Sequence, residues 1–388
     1  MNANFWHKNM VVLGNPHSPH ISVWLNAAKH VNVSVEKIAI HHGTHAPMSE
    51  KNFHVLFSKH LPVLFPKSLK YCLGGIYIFF KYFFKSNQVI HAHCASGYGL
   101  MAFLSKKKYA LTTYGSEIFN KDRKSFFYNL IMSIVLKRAF LISASSMAME
   151  DYLVDRYQVD RSKIRTFSLG VSSEFLKPAV PGKLPGDIVS FLKQNKYIFF
   201  SNRRMTAHYN ILYIIQEFET LLSVSPLLAD QCGLLLLSGD YEPEFFEKIA
   251  CYIDVHKLQD NIMVITDYID KDMMSSILEN TTATISMAAT DQLSAAILES
   301  IAKNVPPVLN RLDAYGDIEK NQCGIFLNAM ETGALANCLN DIVCKKFDQS
   351  IYQNMKTYVS SFLEKKRIHE KIIHMYHELL DENLDMQK

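Results

Sequence analysis

Short β-branched apolar runs alternate along the chain with stretches whose apolar residues recur at helical spacing. Residues 10–13, 33–40, 88–93, 108–113, 139–143 and 164–167 read as strands. Between the first two, Ile21, Trp24, Leu25 and Ala28 share one face of an amphipathic helix. After a turn-rich stretch at 178–186, which holds three of the chain's twelve prolines, the alternation restarts. Strands are predicted at 197–200, 233–237, 262–265, 282–287, 305–309 and 324–327, and helices at 209–224, 242–256, 270–279 and 291–303. From Leu335 onward only helical patterns remain. Strands separated by helices imply parallel sheets with right-handed crossovers. The pattern therefore predicts an α/β chain of two doubly wound, Rossmann-like domains, 1–180 and 181–388, with the last helices free to pack back on the first.

One strand, loop and helix unit carries the densest candidate chemistry. Asp291 falls in the loop after the strand at 282–287, Ser294 is placed to cap the next helix, and Glu299 lies about one and a half turns in. Ligands of open α/β sheets bind beyond the strand ends, and a loop carboxylate beside a helix amino terminus suits a sugar phosphate. Taken alone, Asp291 reads equally as a helix start and Glu299 as a solvated residue. The opening loop, Gly14 to His20, has one glycine where a nicotinamide-binding fingerprint needs three, which argues against a dehydrogenase.

Composition narrows the class. Apolar residues make up 48% and charged residues 20%, as in ordinary globular proteins. Seven scattered cysteines never spaced as Cys-x-x-Cys favour a reducing cytosol over a disulfide or zinc framework. The first eight residues lack the form of an export signal, and no apolar run reaches the roughly 20 residues of a spanning helix. A cytoplasmic protein is expected. Charge is uneven: residues 1–180 carry 22 Lys/Arg against 9 Asp/Glu, or +13, and the remainder 19 against 28, or −9. The basic half suggests an anionic partner; with no nucleic-acid recognition motif beside it, the expectation is peripheral association with the inner face of a membrane. The stretch at 65–85 mixes aromatics with lysines and reads as a core helix capped by lysines, with an interfacial helix as the alternative.

His91 and His93 stand two apart on one strand and so face one side; no third metal ligand is nominated. His17, His20, His41, His42 and His45 cluster in sequence at spacings that fit no common metal site. Ser116 and Glu117 either bind hydroxyls or cap their own turn.

Several stretches, in order, resemble the family 4 retaining glycosyltransferases of the GT-B fold: 88–100, Leu111 to Ile118, 140–146, Lys163 to Val171, Ser201 to Arg203 with Tyr209 and Asn210, Leu237 to Asp240, and Asp291 with Glu299 as the acidic pair eight apart. The resemblance covers nearly the whole chain. It implies two Rossmann-like domains facing a central cleft, and sugar transfer of hexosyltransferase type from a nucleoside-diphosphate sugar to a saccharide or lipid-linked saccharide, as in cell-surface polysaccharide synthesis. It places Glu299 on the nucleotide ribose, Asp291 on the donor sugar, the amides around Ser294, Ala295 and Ala296 at sugar and phosphate, and Arg203, with Arg204 as its rival and His208 nearby, at the diphosphate; Gly239 falls among the donor-binding residues. Catalytic roles fall on His93, Asp291 and Arg203. Gly14, His17, His20, Gly97, Ser116 and Glu117 fall on the acceptor side. No metal and no cofactor beyond the nucleotide sugar is expected. Three positions depart from the family pattern: His208 stands for a lysine, Tyr114 for a histidine, and Asp291 for a glutamate. A nucleotide-sugar epimerase or phosphorylase of similar architecture, and a two-domain sugar-binding protein, are the rival readings.

Overall fold

A computed structural model describes residues 9–16, 18, 20–40, 52–57, 67–115, 117–119, 124–168, 170–180, 182–239, 241–363 and 365–381. The chain divides into unit 1, Met1–Leu169 with Lys366–Lys388, and unit 2, Gly170–Lys365. The division falls ahead of the 180/181 boundary read from the prolines, because residues 170–180 are pinned to unit 2. There Ala179 N donates to Glu279 (2.7 Å), Lys303 Nζ donates to the Lys177 carbonyl (2.5 Å), and Ser275 Oγ donates to the Glu174 carbonyl (2.9 Å).

Unit 1 holds strands β1 (Asn9–Leu13), β2 (Ser34–Ala39), β3 (His54–Val55), β4 (Gln88–His93), β5 (Lys108–Thr112), β6 (Leu141–Ala144) and β7 (Ile164–Thr166). Its helices are α1 (Ile21–Ala28), α2 (Lys67–Tyr82), α3 (Gly97–Leu104), α4 (Phe126–Arg138) and α5 (Met147–Tyr157). Unit 2 holds strands β8 (Tyr197–Ser201), β9 (Cys232–Leu237), β10 (Ile262–Ile265), β11 (Ala283–Ser286), β12 (Pro307–Asn310) and β13 (Ile325–Leu327). Around them lie α6 (Gly186–Gln194), α7 (Ile211–Val224), α8 (Pro226–Ala229), α9 (Pro243–Val255), α10 (Lys271–Glu279), α11 (Ala295–Ala302), α12 (Gly316–Lys320), α13 (Ala334–Val343) and α14 (Ile351–Tyr358). The last helix, α15 (Lys365–Leu380), belongs from Lys366 onward to unit 1.

Both sheets are parallel, with orders β3-β2-β1-β4-β5-β6-β7 and β10-β9-β8-β11-β12-β13. Each order reverses once, between β1 and β4 in unit 1 and between β8 and β11 in unit 2. At such a reversal the neighbouring connections diverge to opposite faces and open a crevice beyond the strand ends. Central strands are buried along most of their length, as parallel sheets covered on both faces require.

In unit 1, Trp24, Ile368, Ile372, Met375, Tyr376 and Leu379 help form one core beneath β1, so α1 and α15 share a face of the sheet. The other face carries α2, α3 and α4 side by side. The expectation that 65–85 is a core helix holds for one face of α2 and is corrected for the other. Gly74, Gly75, Ile78 and Tyr82 of α2 are buried, but Leu73, Ile76, Tyr77 and Phe80 point outward. The two glycines bring α2 so close to α3 that a Cβ on Gly75 would lie 3.2 Å from Met101 Cα. The bulky residues are left for the opposite side. Residues 65 and 66 of that stretch lie outside the described residues.

Candidate functional site

In unit 2 the loops after β8, β9 and β11 are laced together at the crevice. Met205 N donates to the Ser238 carbonyl (2.9 Å), Ala289 N to the His208 carbonyl (2.8 Å), and Asn210 Nδ2 to the Met287 carbonyl (2.7 Å). The His208 ring donates from Nε2 to the Thr290 carbonyl (2.7 Å), so its imidazole serves loop geometry. Gly239 turns back with φ +56°, and a Cβ there would lie 3.3 Å from Arg204 Cγ, so glycine meets both the left-handed backbone and the close approach.

Arg203 follows β8 by two residues and is only 6% exposed. Its Nη2 donates to Asp291 Oδ2 (2.6 Å), its Nη1 donates to Ser294 Oγ, and its guanidinium lies 4.3 Å from the centroid of the Tyr209 ring. Asp291 also accepts from Tyr315 Oη at Oδ2 (2.6 Å) and from Gln292 N at Oδ1 (2.9 Å). Beside the ion pair, Tyr315 has its phenol pushed upward, by burial first and then by Asp291. Three donors on one carboxylate fix its orientation and leave little of its acceptor capacity unused. Sequence motifs supplied Arg203, Asp291 and Ser294 as separate ligands of a donor; the fold bonds them to one another. Tyr315 was missed, since nothing in its local sequence links it to residue 291.

Ser294 occupies the cap position of α11 in extended conformation (φ −76°, ψ 145°), but its hydroxyl makes no capping bond. With its hydroxyl on Arg203, Ser294 leaves uncapped the first-turn amides that begin at the exposed Ala295. An uncapped, positively polarised helix start is an anion site in waiting. Glu299, half-buried on the same helix, has its carboxyl pushed up to about 7 by burial, with Lys271 pulling it down. One Asp-x-Asp spacing, Asp270-Lys271-Asp272, lies in the same unit. Asp270 caps α10 by accepting from Met273 N (2.8 Å), and Asp272 pairs with Lys183.

In unit 1 the corresponding crevice is built from the ends of β1, β4 and β5. Gly14 directly follows β1, where a Cβ would press on Ile21 and lie 3.3 Å from His93 Cβ. His93, the last residue of β4, is 3% exposed; its Nδ1 pairs with Tyr114 Oη at 2.9 Å. Its Nε2 is buried with no hydrogen-bond partner among the described residues. Burial holds the His93 pKa well below the usual value, with His91 and His20 adding to the effect. The next residue, Cys94, sits at φ +85°, a costly conformation for a side chain and a common mark of functional turns. His20, at the cap position of α1, stacks toward Tyr114 with ring centroids 5.7 Å apart. His91 is satisfied on both sides, by Tyr376 Oη (3.0 Å) and Thr112 Oγ1 (2.8 Å), as a core histidine should be. Glu117 is buried and its Oε1 accepts from Tyr114 N (2.8 Å) and Ala95 N (3.4 Å), tying the loops after β5 and β4 together. Burial raises its pKa against the pull of those amides. Gly97 opens α3 directly under the Tyr71 ring. His17, His41, His42, His45, Ser116 and Asp240 lie outside the described residues.

Residues 10–146 match the family model described as glycosyl transferase 4-like. Among solved structures, the chain is similar to a glycosyltransferase from Rickettsia africae ESF-5, at 16% identity and TM-score 0.71, covering 97% of this chain and 100% of that one. Sucrose-phosphate synthase from Thermosynechococcus elongatus is similar at 14% identity and TM-score 0.74, with 96% and 99% covered. Alr3699/HepE of Anabaena, in complex with UDP, is similar at 13% identity and TM-score 0.71, with 95% and 99% covered. No curated protein matches the chain in sequence. The fold is GT-B, with two Rossmann-like sheets, and the resemblance to family 4 GT-B glycosyltransferases is borne out.

Proposed function

We propose that the chain is a retaining glycosyltransferase that moves a sugar from a nucleoside-diphosphate donor bound by unit 2 to a saccharide or lipid-linked saccharide bound by unit 1. The observation that carries this reading is the joining of Arg203, Asp291 and Ser294 at the unit 2 crevice, beside the uncapped start of α11 and on the same segment as Glu299.

The chemistry required at such a site is neutralisation of a departing diphosphate. Fixed donors do this best, because they cost no reorganisation as charge develops. The α11 amides and the unspent N–H groups of the Arg203 guanidinium are such donors; Arg204, over Gly239, adds a second cation. Asp291, clamped by Arg203 and Tyr315, presents its remaining acceptor capacity to a donor-sugar hydroxyl. Glu299 accepts from the nucleotide ribose. In unit 1 the acceptor-side role is assigned to His93, a neutral imidazole oriented by Tyr114 with its buried Nε2 unpartnered among the described residues. UDP is the nucleotide to test first, because Alr3699/HepE holds it and the GT-B fold is shared. No metal is assigned a role; the cationic work falls to Arg203 and Arg204.

The test is incubation with UDP-sugars, following UDP release and the anomeric configuration of transferred or hydrolysed sugar by NMR. Retained configuration is expected, and Asp291→Asn should slow release by roughly a hundredfold or more. Conversion of the donor to a different nucleotide sugar without acceptor, or an inverted product, contradicts the proposal.

A further inference from the structure

The outer surface of α2 and α4 has a property the transfer reaction does not need. Among the described residues, twelve of the twenty-one exposed large hydrophobic side chains fall on α2, the turn after it, and α4. Leu73, Ile76, Tyr77 and Phe80 form a stripe along α2 that continues into Phe84, which is 93% exposed. On α4 the spacing of Phe126, Phe127, Leu130, Ile131 and Ile134 makes a second stripe, with both phenylalanines 74% exposed. The inner faces of both helices are buried, α2 on α3 through Gly74 and Gly75 and α4 through Met132, Val135 and Leu136. The stripes are therefore a surplus beyond what the fold buries. Monomeric soluble proteins rarely leave contiguous apolar surface of this kind without a partner.

Charge identifies the partner. Residues 56–138 contain 13 Lys/Arg against only Glu117 and Asp122. The lysines border the aromatics: Lys124 lies 5.2 Å from the Tyr128 ring and Lys106 5.1 Å from the Phe103 ring, while Lys81, 5.6 Å from the Tyr77 ring, is paired with Glu36. Lys107 is held by the Lys85 carbonyl (2.9 Å) at the end of the α2 stripe. Apolar stems along aromatic surface with cationic heads at the rim suit the boundary between acyl chains and anionic headgroups. A second copy of this chain is disfavoured, since a two-fold contact through this face sets the same excess of cations against itself. Among the described residues no helix is long and apolar enough to cross a membrane, so the contact is with a bilayer surface.

We propose that the α2 and α4 stripes are a docking face for an anionic lipid bilayer, with Phe80, Phe84, Phe126 and Phe127 entering the acyl boundary and the flanking lysines meeting lipid phosphate. The proposal is independent of the donor assignment in unit 2. It is tested by co-sedimentation of the full chain with phosphatidylcholine vesicles, with and without phosphatidylglycerol, at low and high salt. One variant carries Phe80→Ser, Phe84→Ser, Phe126→Ser and Phe127→Ser; another carries Lys85→Gln, Lys106→Gln and Lys137→Gln, Lys137 being exposed in the last turn of α4. The wild type should bind the phosphatidylglycerol vesicles, and each variant should bind roughly tenfold more weakly or worse. High salt should weaken the wild type and affect the lysine variant less, since fewer charges remain to be screened. UDP binding and melting temperature should stay as in the wild type. Equal binding to neutral vesicles, indifference of the phenylalanine variant, or a wild-type dimer in light scattering that the phenylalanine variant abolishes would each overturn the proposal.

Discussion

Glu299 carries a conflict between stability and binding. Its carboxyl is raised from 4.5 to about 7 in the folded chain, mainly by burial. The unfolded chain therefore releases this proton at lower pH than the folded one. Stability contributed by the group is intact below about pH 4.5, falls as pH rises through the interval up to 7, and levels off above it. Glu299→Gln should thus stabilise the protein by up to about 3 kcal/mol at about pH 8 and by nothing near pH 4. Urea unfolding at both values checks this, and an equal effect at both would contradict the burial argument. The Arg203 and Asp291 ion pair behaves differently, because both groups are under 10% exposed, at 6% and 9%. Arg203→Met alone strands a buried carboxylate and should cost about 3–5 kcal/mol. Adding Asp291→Asn should cost much less than a second independent loss, so a double-mutant cycle reads a coupling of at least about 1 kcal/mol; additivity would show the pair is energetically idle. Motif order nominates Arg203, Asp291, Ser294 and Glu299 from sequence. The bonding of Arg203 to Asp291 and Ser294 was not legible, nor was Tyr315, because contacts across 91, 88 and 24 residues are set by which strands lie side by side.

At the scale of elements, hydrophobic periodicity located nearly every strand, since parallel strands buried on both faces are continuous apolar runs. It failed where that logic does not apply. β3 is two residues long with an exposed pattern, too short to carry a period. The α2 stretch is apolar on both sides, and only packing against α3 decides which side is inside. The proline-rich 178–186 stretch reads as a linker, yet the bond from Ala179 N to Glu279, and that from Lys303 to the Lys177 carbonyl just before the stretch, hold its start on unit 2. The place of α15 depends on Tyr376, whose hydroxyl meets His91 across 285 residues of sequence. Tyr376→Phe leaves a buried His91 nitrogen unpaired and should cost about 1–3 kcal/mol. Denaturant melting that matched the wild type would mean the bond contributes nothing to holding α15.

The whole molecule consists of two units, each with its own core and its own switch-point crevice. A ligand that binds one folded unit raises the melting of that unit by mass action. UDP should therefore protect unit 2 amides, including those of α11, from hydrogen exchange more than those of β1 to β7. The most direct test of the account is calorimetric titration of UDP into the wild type, Glu299→Ala and Asp291→Asn. Loss of a carboxylate that accepts ribose hydroxyls should weaken UDP by about 1.5–3 kcal/mol, roughly ten- to a hundredfold, in Glu299→Ala. Asp291→Asn, whose proposed partner is the sugar, should bind bare UDP within about threefold of the wild type, a difference of under 1 kcal/mol. Unimpaired UDP binding by folded Glu299→Ala, or no UDP binding by the wild type while other nucleotides also fail, would contradict the assignment of the unit 2 crevice as a nucleotide-sugar site.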